Sequence, residues 1–205
     1  MNLADVFVET GRIIGIVGDR DSGKSNLMYY AIQALQEKYK FNLYSYGLRI
    51  NLGEQRIYSV RELENVSNGI VFIDEFPTLF KLDNRKIWRD VESTFQFISH
   101  KNIVMVLAGL PENYHKFIAA KLQTIIYKTC AIDDFINRSK IKTVLDRFTN
   151  PMKGSEMLTI EKDECLIYDG EHFHPHVQVP YVQACDTKQY RAPIFVPKNV
   201  PSNEQ

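Results

Sequence analysis

The octet Gly18-Asp19-Arg20-Asp21-Ser22-Gly23-Lys24-Ser25 follows a short β-branched run, residues 12–17 (RIIGIV), and opens a stretch, residues 26–38, with Leu27, Tyr30, Ala31, Ala34 and Leu35 at helical spacing. Strand, glycine loop and helix in that order are the G-x-x-x-x-G-K-S phosphate loop. A triphosphate needs several backbone N–H groups converging on it, which requires glycine where a Cβ would block the approach. It also needs a helix whose N-terminal dipole favours negative charge. Gly18 and Gly23 supply the freedom, Lys24 can reach the β and γ oxygens, and the Ser25 hydroxyl can ligate Mg²⁺. All eight residues of the loop, with Asn26 after them, form the candidate binding set for ATP.

A second motif lies about fifty residues on. Residues 70–75 read IVFIDE, four apolar residues and then two carboxylates, which places Asp74 at the C-terminal tip of a buried strand. Open α/β sheets bind their ligands at that edge. Asp74 would hold Mg²⁺ through water, and Glu75 would polarise the attacking water as general base. The same pair standing alone would suit a cap for the helix after Pro77; the phosphate loop upstream favours the hydrolytic reading.

The 205 residues fit one domain with a well-buried core, and 44% hydrophobic with 24% charged residues is ordinary for a globular chain. No apolar run approaches the ~20 residues of a membrane span, and the first residues lack a signal-peptide layout. With 25 basic and 25 acidic side chains the formal charge is zero, so any contact with DNA has to come from a local patch or from a ring of subunits. Cys130, Cys165 and Cys185 have no metal-like spacing and read as buried thiols of a reducing compartment.

Between the motifs, residues 41–46 and 55–60 are predicted strands and 61–65 a short helix. This alternation points to parallel strands with crossover helices. Beyond Pro77 the pattern predicts an amphipathic helix over 85–99 (Ile87, Val91, Phe95 and Ile98 on one face), a buried strand over 103–108, a helix over 112–120, a strand over 124–131 and a helix over 133–148. From residue 157 the apolar positions alternate around the Asp169-Gly170 turn, which predicts an antiparallel hairpin added to the parallel sheet. Residues 1–182 are thus expected to form a single domain, and 183–205, spaced by Pro193, Pro197 and Pro201, a proline-rich extended tail.

This order of elements, with GDRDSGKS, IVFIDE and the terminal CLIYDGEHFHPHVQVPYV, resembles the HerA/FtsK group of P-loop ATPases over about residues 11–182. Within it the chain looks like the genome-packaging ATPases of tailless, membrane-containing icosahedral viruses. The resemblance implies an α/β, three-layer, RecA/FtsK-like fold and an ATPase that drives double-stranded DNA. It also implies a ring of five or six subunits, capsid or virion-membrane partners, and a location in the host cytoplasm or at the packaging vertex. It further implies an arginine reaching the γ-phosphate of a neighbouring subunit. Arg138 and Arg147 are the first candidates and Arg85 and Arg89 the next, each of which is equally a solvated helix charge. The group usually ends the strand after its Asp-Glu strand with a polar γ-phosphate sensor, often glutamine. Here that place, residues 106–111, is apolar, and the nearest polar residues are Asn113, His115, Ser99 and His100.

Two further features stand open. His172, His174 and His176 would share one face of a strand, a spacing that can bind metal or simply line a hairpin surface. Lys81, Arg85, Lys86 and Arg89 form a basic cluster suited to a DNA channel or to a solvated helix face. Two other functions compete with the motor. An AAA-like loader or transposition helper would bring a helical lid where the sequence offers a hairpin. A non-motor, nucleotide-regulated phage assembly protein would act as a monomeric switch.

Overall fold

The computed structural model describes residues 3–9, 12–39, 41–80, 94–96, 98, 100–114, 116–129 and 160–183. Arg85, Arg89, Arg138, Arg147, Lys81, Lys86, Ser99, His115, Cys130, Cys185 and the expected tail lie outside them, as does the predicted helix over 133–148.

The chain runs α1 (Leu3–Glu9), β1 (Ile13–Val17), α2 (Lys24–Lys38), β2 (Asn42–Tyr46), β3 (Gln55–Arg56), α3 (Val60–Leu63), β4 (Gly69–Ile73) and α4 (Phe76–Phe80). After a helical segment that includes Phe95 and Ile98 come β5 (Ile103–Gly109), β6 (Thr124–Tyr127), β7 (Glu164–Tyr168) and β8 (Phe173–Gln178). The eight strands form one sheet in the order β3-β2-β4-β5-β1-β6-β7-β8. Pairing is parallel from β3 through β6 and antiparallel for β6–β7 and β7–β8. The fold class expected from the sequence is therefore the one observed, an α/β three-layer P-loop NTPase fold with an added hairpin.

Alternation along the central strands sorts the core into two halves. Ile14 and Ile16 of β1 and Ile70 and Phe72 of β4 pack with α1 and α2 on one face; Val17, Val71 and Ile73 pack with Phe76, Phe80, Phe95 and Ile98 on the other. Burial on both faces is why these strands read as continuous apolar runs. β7 behaves the same way: Cys165 and Ile167 enter one half and Leu166 and Tyr168 the other. It lies between β6 and β8, inside the sheet, in the antiparallel hairpin expected there, and both of its faces are covered.

Several boundaries differ from expectation for physical reasons. The strand predicted over 55–60 keeps two residues, because Ser59 and Glu62 bond each other to start α3 at Val60. The helix predicted over 112–120 is a 3₁₀ turn, Pro111–Asn113, and a separate short helix, Lys116–Ala119. Between them Tyr114 turns fully inward, its hydroxyl 2.9 Å from Ile16 O and 2.6 Å from Leu107 O. The strand predicted over 124–131 ends at Tyr127. α1 was not anticipated; Val6 and Phe7 are fully buried and Asp5 pairs with Lys38 at the far end of α2. Among the described residues no helix is long and apolar enough to cross a membrane.

Candidate functional site

The phosphate loop leaves the sheet where β1 ends between two neighbours, with Val17 opposite Gly109 of β5 and Tyr127 of β6. The chain after β6 runs beside it: Lys128 N donates to Val17 O (2.8 Å) and Asp19 N to Thr129 O (3.0 Å). Gly18 is packed so closely that a Cβ there would meet Lys128 Cβ and Ser22 Oγ, each at 2.7 Å. Here glycine is required by the wall behind the loop as well as by the phosphate in front of it. Gly23 takes φ +91°, where an L side chain is strained, and turns the loop into α2, which has no side-chain cap. Uncapped N–H groups and the helix dipole make that end a site for an anion.

Two atoms in the loop show what a ligand would supply. Lys24 Nζ folds back onto the loop, donating to Gly18 O (2.9 Å) and Asp19 O (2.6 Å). The Ser22 hydroxyl is buried with no hydrogen-bond partner among the described residues. Arg20 and Asp21 are exposed at the loop's crest, Asp21 in a left-handed conformation at φ 57°.

The two motifs meet at one contact. β2 and β4 run in register to Tyr46–Ile73, and Asp74 N donates to Tyr46 O (2.9 Å), which holds Asp74 at the strand tip. There Ser25 Oγ donates to Asp74 Oδ2 at 2.8 Å, joining residues 49 apart in sequence. Burial pushes the Asp74 carboxyl above its ordinary value, aided by the neighbouring charge of Glu75 and opposed by the Ser25 hydrogen bond and Lys24. A hydroxyl and a carboxylate brought together in partial burial are a hard-oxygen donor set of the kind Mg²⁺ takes, so Ser25 and Asp74 fit that ion. Glu75 follows at φ 49°, its N–H bonded to Asp74 Oδ1 at 3.1 Å and its side chain exposed above the start of α4.

The structure separates the sensor candidates by edge. Asn113 is half-buried just beyond the C-terminal end of β5, the end beside Val17; its Cβ is 3.5 Å from where a Cβ on Gly109 would stand. His100 precedes β5 at the opposite edge, so it is excluded from reading a phosphate in the loop. The side chain of Asn26 is otherwise engaged than expected. Its amide donates to Pro180 O (3.1 Å) and accepts from Val182 N (2.9 Å), leaving only its backbone to the phosphate set.

Three contributors escaped sequence reasoning. Lys128 is fully buried behind the loop, with Nζ donating to Lys162 O (2.7 Å) and to Glu164 O; burial lowers its pKa. A lysine directly after the apolar run TIIY at a strand tip was the available signal. Gly47 follows β2 at φ +78°, and a Cβ there would stand 2.6 Å from Asp74 O. Tyr114 ties β1 to β5 beneath the loop.

The three histidines do not share a face. The β7–β8 register shifts between Cys165 and Ile167, and His176 sits at φ 51°, so a bulge breaks the alternation. His174 Nε2 bonds Asp169 Oδ2 (2.9 Å) and His176 Nδ1 bonds Glu164 Oε2 (3.0 Å), while the His172 ring is exposed. Burial would raise the Asp169 carboxyl, yet the His172 N–H, the His174 ring and the Glu171 N–H hold it down at about 2. Among the described residues no group of three His, Cys, Asp or Glu is placed to hold a metal. Cys165 is a buried thiol, as expected, pushed up to about 12 by burial.

Sheet order, phosphate loop and the Ser25–Asp74 contact together define a P-loop NTPase architecture. Among solved structures the chain is similar to the genome packaging NTPase B204 from Sulfolobus turreted icosahedral virus 2 in complex with AMPPCP, at 15% identity and TM-score 0.63, over 84% of this chain and 100% of that one. It is likewise similar to B204, the DNA-packaging ATPase from Sulfolobus turreted icosahedral virus (15%, TM-score 0.61, 82% and 98%). A third is EssC (ATPases 2 and 3) from Geobacillus thermodenitrificans (15%, TM-score 0.55, 85% and 40%). At this identity the likeness is one of fold. No family model and no curated protein matches the sequence.

Proposed function

We propose that this chain is an ATP-hydrolysing motor subunit that drives double-stranded DNA, in the manner of a viral genome-packaging NTPase. The observation that carries the reading is the 2.8 Å contact of Ser25 Oγ with Asp74 Oδ2 across the mouth of the phosphate loop. A fold shared with packaging NTPases along nearly the whole of their length supports it.

In this reading Lys24 exchanges the carbonyls of Gly18 and Asp19 for the β and γ oxygens of ATP. Ser25 and Asp74 hold Mg²⁺, which neutralises charge on the phosphates when bound. Glu75 orients a water and accepts its proton as the water oxygen bonds to the γ-phosphorus and the bond to ADP breaks. Asn113 reads the γ-phosphate from the end of β5. Arg138 or Arg147 meets the developing charge on a neighbouring subunit's nucleotide, so the active form is a ring of identical subunits. A ring also reconciles a formal charge of zero with DNA binding, since local basic groups repeat around a channel.

The test is ATP turnover by wild type, Lys24→Ala and Glu75→Gln, with and without double-stranded DNA, alongside the oligomeric state in nucleotide. The expected outcome is DNA-stimulated turnover by a pentamer or hexamer, reduced roughly 100-fold or more in both variants. Turnover that survives Lys24→Ala would sink the site; a monomer indifferent to DNA would sink the motor.

A further inference from the structure

The phosphate loop holds a buried donor that is not used and a buried acceptor that depends on one movable side chain. The donor is the Ser22 hydroxyl: Ser22 is 3% exposed, and its Oγ has no hydrogen-bond partner among the described residues. The acceptor is Gly18 O, on a buried residue, which takes its hydrogen bond from Lys24 Nζ at 2.9 Å. The two lie side by side. A Cβ on Gly18 would stand 2.7 Å from Ser22 Oγ, on the flank that Lys128 walls off. Asp19 O, the second carbonyl on Lys24 Nζ, is placed differently, because the Ser22 N–H also bonds it at 3.3 Å.

Once Lys24 turns to a phosphate, Gly18 O loses this donor while the Ser22 hydroxyl is still unpaired, and a buried polar group without a partner is unfavourable. A serine hydroxyl swings on one side-chain torsion and its proton rotates to suit, so the pair can meet with little else disturbed. We propose that Ser22 is a positioning residue whose hydroxyl takes over the Gly18 carbonyl as Lys24 leaves it for the nucleotide. This inference rests on the reading of Lys24 as the phosphate-binding lysine. Nucleotide binding then exchanges one internal hydrogen bond for another, and the loop's first glycine keeps its place when the ammonium that held it withdraws. Asp19 O needs no such replacement, since the Ser22 N–H stays on it.

The exchange is readable without a ligand, because Lys24→Met vacates the Gly18 carbonyl and keeps most of the stem that fills the space. Thermal melts of nucleotide-free wild type, Ser22→Ala, Lys24→Met and the double variant form a cycle. In the wild-type background Ser22→Ala is expected to melt at or slightly above wild type, since it deletes an unpaired buried hydroxyl. In the Lys24→Met background the same substitution should lower Tm by roughly 2–12 °C, as it strips Gly18 O of the replacement donor. Calorimetry should show Ser22→Ala binding ATP roughly 5- to 100-fold more weakly than wild type. Additive melts overturn the exchange, and if ATP binding is still weakened they assign the hydroxyl to a phosphate oxygen instead. Coupled melts with unchanged ATP affinity overturn it as well, since the hydroxyl would then contribute nothing to the occupied loop. A wild type that binds no ATP overturns the phosphate site itself, and the exchange with it, whatever the melts show.

Discussion

Replacing Gly47 by alanine tests how Asp74 is held. A Cβ there would stand 2.6 Å from Asp74 O, against an ordinary contact of 3.4 Å or more, so that carbonyl must retreat by about 0.8 Å. Alanine at φ +78° costs about 1–2 kcal/mol and the overpacking about 1–3 kcal/mol, for a combined loss of roughly 2–5 kcal/mol. In a chain of this size that lowers Tm by roughly 4–20 °C. The larger consequence is functional. Moving the Asp74 backbone stretches the 2.8 Å bond to Ser25 and spoils the pair that would hold Mg²⁺. A displacement near 1 Å in a catalytic site can cost about 100-fold, so kcat should fall roughly 10- to 100-fold. KM for ATP should hold within about threefold, because Lys24 and the loop N–H groups are untouched. Steady-state phosphate release over a Mg²⁺ titration, with a parallel thermal melt, measures both effects. A Gly47→Ala protein that melts with wild type and turns over at the wild-type rate would refute the reasoning. Recovery of turnover in Gly47→Asn, which tolerates the dihedral but still carries a Cβ, would place the effect on conformation instead of contact.

Two other substitutions probe the same site. Because burial holds the Asp74 carboxyl above its ordinary 3.8, its ionisation costs the nucleotide-free fold stability at neutral pH, and Asp74→Asn should melt above wild type while losing roughly 100-fold in turnover. The sign fixes the window: the advantage is full above the folded pKa, shrinks as pH falls through it and vanishes below 3.8, so nucleotide-free melts across that range check it, and a wild type that melts higher at neutral pH would contradict it. Lys128→Met removes the ammonium from Lys162 O and Glu164 O behind the loop, a loss partly offset by relief of its burial. A net destabilisation of about 1–3 kcal/mol, with weaker ATP binding, is expected from denaturant unfolding and calorimetry; unchanged values for both would show that the loop does not lean on this lysine.

The octet at residues 18–25, its flanking strand and helix, the Asp-Glu strand and the Asp169-Gly170 hairpin were all legible in the amino-acid order, because each is a local pattern: glycines at fixed offsets, a period of 3.6 or 2, a turn dipeptide with Gly170 at φ +101°. So was the approach of Ser25 to Asp74, since a shared edge of a parallel sheet follows from strand direction alone. What local pattern does not encode is which strands become neighbours and what stands behind a loop. The insertion of β5 between β1 and β4 decided that Asn113, and not His100, faces the phosphate edge. A one-residue bulge at His176 undid a metal-like spacing that looks regular in one dimension. Lys128, Gly47 and the Asn26 clamp on Pro180 and Val182 act through contacts with partners up to 156 residues away. Propensity and periodicity report on a residue's immediate neighbours along the chain, whereas burial, close approach and the hydrogen bonds that satisfy a buried group depend on packing among distant segments. The chemistry of the site was accordingly written in the order of residues, and the means of holding it in place arose only when the chain folded.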